Sequence, residues 1–64
     1  MQNIFSGQVA IITGAAQGIG YEIAYELAIQ GCAVLINDID EELLHRAVEN
    51  IRQIQPLCKG YHLI

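Results

Sequence analysis

Apolar residues along this chain fall into two alternating patterns, and their alternation predicts its elements. Val9-Ala10-Ile11-Ile12 and Ala33-Val34-Leu35-Ile36 are unbroken runs, the pattern of strands buried on both faces in a parallel sheet. After each run the period lengthens to that of a helix. Ile19, Ile23, Ala24, Leu27 and Ala28 share one stripe over residues 19–30, opposite Glu22, Glu26 and Gln30, and Gly31 stands where a C-cap glycine belongs. Leu44, Ala47, Val48, Ile51 and Ile54 form a second inward stripe, opposite Glu42, His45, Arg46, Glu49, Arg52 and Gln53. Asp40 can cap that helix, Glu41 and Glu42 suit the positive end of its dipole, and Pro56 stops it near residue 55. Tyr61-His62-Leu63-Ile64 then opens a third strand.

The expected order is therefore strand 8–13, helix 19–30, strand 32–37, helix 41–55 and a strand from 61 onward. This is an α/β chain with a three-stranded parallel sheet, βαβαβ. With the strands in the order 3-2-1, both crossover helices lie on one face and leave the other bare. Because the first two strands are apolar on both sides, that face calls for a cover, either the rest of a larger domain or a partner subunit.

Composition narrows the setting. At 64 residues with 53% hydrophobic content, the chain has room for one domain at most and lies near the size where a core is marginal. Its apolar runs are too short to cross a bilayer, and residues 1–6 lack the basic start of a secretory leader. The net charge of −4 argues against a nucleic-acid partner, which would need clustered Lys and Arg. Cys32 and Cys58 match no zinc or redox spacing and read as buried, reduced thiols of a cytoplasmic protein. Tyr21 and Tyr25, four apart on one helix, read as a packing pair, and His45 as a solvated surface residue.

Candidate chemistry gathers where the first strand meets the first helix. Gly14-x-x-x-Gly18-x-Gly20 differs in spacing from the G-x-G-x-x-G fingerprint of dinucleotide sites, yet each glycine has the same physical task. Gly14 permits a tight exit from the strand, Gly18 leaves room for a pyrophosphate at the helix start, and Gly20 allows close packing of that helix on the sheet. The free N–H groups and dipole of the helix then face the phosphates. No Gly-Lys-Ser/Thr follows, which disfavours an ATP-type loop. Asp38, at the end of the second strand and 18 positions after Gly20, sits near the roughly 20-residue offset of the acid that hydrogen-bonds an adenosine ribose. A carboxylate there repels a 2′-phosphate by tenfold or more in affinity, so NAD is expected over NADP.

Thr13-Gly14-Ala15-Ala16-Gln17-Gly18-Ile19-Gly20, between an apolar strand and the run to Gly31, closely resembles the cofactor motif of the classical short-chain dehydrogenases/reductases. The resemblance implies the N-terminal part of a Rossmann domain over residues 1–64, half of a doubly wound fold. It also implies cofactor binding by Gly14, Gln17, Gly18, Ile19, Gly20 and Asp38, with Ile19 offering its backbone N–H and Asp38 selecting NAD. NADP-preferring members often carry Arg or Lys at the position of Gln17 or just after Asp38, where this chain has Ile39. The family's catalytic Ser and Tyr-x-x-x-Lys pair have no counterpart here, since Tyr21 and Tyr25 are followed four positions on by Tyr25 and Ile29. The chain is therefore expected to bind half a cofactor and to be inactive alone. Two other readings are an interaction or nucleotide-sensing module docking through the bare face, and an S-adenosylmethionine site, which the turn spacing fits less well.

Overall fold

In the computed structural model the described residues are 5–63. Of Ile4 and Phe5, which the sequence offers as able to tuck against the first sheet layer, Ile4 lies outside the described residues, as does the place of Ile64 in the third strand. The elements follow in the expected order: β1 (Val9–Thr13), α1 (Gly18–Ile29), β2 (Ala33–Asp38), α2 (Glu41–Arg52) and β3 (Cys58–His62). The strands form one parallel sheet in the order β1-β2-β3. Register pairs Ala10 with Val34 and Val34 with Cys58, then Ile12 with Ile36 and Ile36 with Gly60.

Those alternate residues face both helices. Val34, Ile36 and Cys58 are buried with Ala24 and Ala28 of α1 and Leu44, Ala47, Val48 and Ile51 of α2, while Ala10 and Ile12 pack partly against this core. Across the sheet, Val9 and Ile11 are 63% and 71% exposed, and Tyr61 is also exposed. The bare apolar face anticipated from the strand order is present.

Helix boundaries have local causes. Gly31, at φ 92, donates its N–H to the Ala28 carbonyl, and Cys32 donates to Leu27, the paired bonds of a Schellman close to α1. Asp40 accepts from the Leu43 N–H at 3.0 Å and so caps α2, with Glu41 and Glu42 in its first turn.

Three expectations need correction. Helix α2 ends at Arg52 rather than near residue 55, and Ile54 is 42% exposed instead of inward. Pro56 biases residue 55 away from helical dihedrals, so the helix tightens through the bond from Ile54 N–H to the Ile51 carbonyl. Gln55 then turns inward, its amide donating to the Cys32 carbonyl and accepting from the Leu57 N–H. Strand β3 starts at Cys58, not at Tyr61, so Cys58, which lies before the expected strand and hence in a connection, is its first residue. Its segment Cys58-Lys59-Gly60 carries no apolar periodicity, because Lys59 lies on the sheet's outer face and Gly60 lies under α2. A Cβ on Gly60 would meet Val48 Cγ2 at 2.6 Å and Leu44 Cδ1 at 3.2 Å. Finally, the buried line of α1 is Ala24 and Ala28, whereas Ile19 and Ile23 are 77% and 48% exposed. Small residues let α1 lie close to the strands, and its larger apolar residues project beyond the sheet formed here.

Candidate functional site

The site grows from the place where β1 stops. Gly14 leaves the strand at φ 66, a left-handed conformation that an L side chain resists by about 1–2 kcal/mol. Its N–H and that of Ala15 both donate to the Asn37 carbonyl, at 2.8 and 3.2 Å. The next N–H, of Ala16, donates to the Asp38 carboxylate at 3.1 Å. Three successive amides thus fasten the turn to the end of β2, and Ala15 and Ala16 are buried beneath it.

Gln17 is extended and exposed at the N-cap of α1, and its side chain makes no cap bond. Gly18 opens the helix at φ 69, and a Cβ on either Gly14 or Gly18 would project into open space. Gly20 is different. A Cβ there would come 2.7 Å from the Gly14 carbonyl oxygen and 3.1 Å from Ala15 Cα. Its packing partner is the backbone of the turn, where the sequence suggested the sheet. Ile19 follows Gly18 with its side chain exposed, outside the core where the apolar stripe had placed it.

The two helix starts in this chain contrast. α2 has an aspartate cap and two acidic residues in its first turn, whereas α1 has no side-chain cap and no acidic residue there. The first N–H groups of α1 lack acceptors within the helix, and no acidic residue of its own first turn faces its dipole. Together with the two open glycine positions, this start suits a bound phosphate.

Asp38 closes the site as the last residue of β2. One carboxylate oxygen accepts from Ala16 and the other from the Asp40 N–H at 3.0 Å. The bonds from Asp40 and Ala16 hold its pKa below the ordinary carboxylate value, so the group is ionised throughout the neutral range. Each oxygen keeps a second lone pair for a hydroxyl donor. Asp38 therefore both shapes the turn before Asp40 and stays competent to receive a ribose. The residues named from sequence come together here: Gly14, Gln17, Gly18, Ile19 and Gly20 along the turn, with Asp38 joined to it through Ala16. Sequence reasoning missed the main-chain role of Asn37, whose carbonyl anchors the turn, since any residue type can supply a carbonyl. These residues fit a dinucleotide's phosphates and ribose.

Elsewhere, the Tyr21 and Tyr25 rings pack at a centroid distance of 5.9 Å, and His45 pairs with Glu49 on the exposed face of α2 at 3.1 Å. Cys32 and Cys58 are buried and free. Among the described residues, no helix is long and apolar enough to cross a membrane.

Comparison with known proteins agrees with this geometry. The family model described as short chain dehydrogenase matches residues 8–62. The chain is 44% identical over 48 residues to tropinone reductase-like 3 of Erythroxylum coca, which covers 75% of this chain and 19% of that protein. A short chain dehydrogenase/reductase from Burkholderia phymatum, solved in complex with NAD, superposes with a TM-score of 0.87 at 35% identity, covering 94% of this chain and 21% of that one. A short chain dehydrogenase from Escherichia coli CFT073, complexed with NADPH, gives a TM-score of 0.90 at 26% identity over all of this chain and 27% of that one. The chain thus spans about a fifth of the length of the curated relative.

Proposed function

The chain belongs to the short-chain dehydrogenase family, and from that premise we propose that residues 1–64 are the NAD-binding part of an oxidoreductase acting on an alcohol or carbonyl substrate. When bound, the nicotinamide supplies or accepts the hydride. This chain's residues hold the cofactor's other end: the turn from Gly14 to Gly20 and the N–H groups at the start of α1 receive the pyrophosphate, Ile19 contributes its backbone N–H, and Asp38 accepts from the adenosine ribose.

The observation that carries the reading is the Asp38 carboxylate, ionised and tied at 3.1 Å to the Ala16 N–H of the turn. A 2′-phosphate arriving beside it meets a like charge, while a ribose hydroxyl meets an acceptor. Gln17 and Ile39 add no cation at the positions where NADP-preferring relatives often have one. We therefore assign NAD over NADP, although similar structures hold either nucleotide. The free thiols of Cys32 and Cys58 accord with a reducing cytoplasm.

The bare sheet face and the exposed Ile19 and Ile23 support the reading that these residues are an incomplete Rossmann domain, covered by the rest of that domain. Neither Tyr21 nor Tyr25 is followed by Lys four positions on, so on this reading residues 1–64 hold the cofactor and are inactive alone. The test is fluorescence titration of the 64-residue chain with NADH and NADPH, repeated on Asp38→Asn. We expect NADH to bind tenfold or more tighter, with the preference shrinking to a few-fold in Asp38→Asn. Equal affinities in the unaltered chain would overturn the assignment.

A further inference from the structure

A cleft of ≈ 360 Å³ opens between the start of α1 and α2, lined by Gln17, Gly18, Tyr21, Leu43, Arg46 and Asn50. It is continuous with the nucleotide turn, because Gln17 and Gly18 belong to both and Ala16, which holds the Asp38 carboxylate, lies in its wall. The chain has three basic residues. Arg52 donates its Nε–H to the Cys58 carbonyl at 2.8 Å, and Lys59 borders the bare sheet face. Arg46 is the one that lines this cleft. Its guanidinium meets Glu42 at 4.0 Å with both side chains well exposed, a contact too weak to hold it there. Helix side chains lean toward the helix N-terminus, which directs Arg46 toward the start of α2, in the cleft that Gln17 and Gly18 also line.

We propose that Arg46 is a specificity-determining residue of the nucleotide site, bringing a cation from α2 to the cleft beside Gln17 and Gly18, where a phosphate on the adenosine 2′ oxygen is received. The proposal rests on the reading of Asp38 as the ribose acid. Asp38, from the strand end, repels that phosphate; Arg46 attracts it and is indifferent to a free hydroxyl, since a guanidinium's advantage lies with oxyanions. Selectivity for NAD is then the difference of two opposed effects, and removing Arg46 sharpens it.

The test uses adenosine 2′,5′-bisphosphate and 5′-AMP, which carry the two forms of this half of the cofactor. Both are titrated calorimetrically into the unaltered chain, Arg46→Gln and Asp38→Asn, at low and at physiological salt. Arg46→Gln is expected to weaken the bisphosphate about threefold to tenfold and leave 5′-AMP within about twofold, with the contrast reduced by salt. Equal weakening of both nucleotides, or no change in either, would overturn the role of Arg46. An unchanged bisphosphate affinity in Asp38→Asn would instead overturn the reading of Asp38, whatever Arg46→Gln shows. A chain that binds neither nucleotide would overturn both.

Discussion

Asp38 shows how one side chain can hold a turn together and, on the proposed reading, receive a ligand as well. Its carboxylate accepts from Ala16 and Asp40, and those bonds lower its pKa. A group whose folded-state pKa is depressed stabilises the fold fully above its unfolded value of about 3.9, and that contribution fades as pH falls through the lower folded value. Urea midpoints of the unaltered chain and Asp38→Asn should therefore differ at pH 7 and converge in strong acid. The glycines separate along a similar line. Gly18→Ala places a methyl in open space at a positive φ, so it should lose about 1–2 kcal/mol of stability to backbone strain and fill the place proposed for the phosphate. Gly20→Ala drives a methyl into the Gly14 carbonyl and should lose about 1–3 kcal/mol by overpacking, measurable by denaturant unfolding without any ligand.

At the scale of elements, what the sequence disclosed depended on where the chemistry resides. Unbroken apolar runs marked β1 and β2, and a polar–apolar split with an aspartate cap marked α2, because burial and capping both act through side-chain type. Asp40→Ala should accordingly destabilise the chain by about 1 kcal/mol, since its bond to the Leu43 N–H is the side-chain cap of that helix. β3 was harder to see because a strand held by main-chain bonds to β2 tolerates Lys59 and Gly60, and Gly60 is required by the closeness of Val48 and Leu44. α1 misled for a related reason. It is apolar on more than one side, which is the signature of a helix surrounded by protein, so no stripe distinguishes its sheet-facing alanines from Ile19 and Ile23. The glycine turn and Asp38 were legible because each step requires a particular residue type, whereas the anchoring carbonyl of Asn37 and the approach of Arg46 to the turn emerge only when distant elements pack.

The whole molecule has one finished face and one unfinished one. Core residues such as Ile51, fully buried at 0% exposure, hold the helices to the sheet, and Ile51→Ala should cost about 2–5 kcal/mol, enough to unfold so small a chain by circular dichroism. The opposite face presents Val9, Ile11 and Tyr61 to solvent. Two consequences follow for the isolated chain: it should self-associate on size-exclusion chromatography through that face, and the proposed nucleotide site, at the glycine turn, should still be formed. The most direct test of that central claim is backbone amide mapping of the 64-residue chain by NMR as NADH is added. The account predicts saturable shifts at Gly14, Gly18, Ile19, Gly20 and Asp38, with Leu35 and Tyr61 unmoved. Shifts confined to the bare face around Val9, Leu35 and Tyr61, or none at the glycine turn, would contradict it.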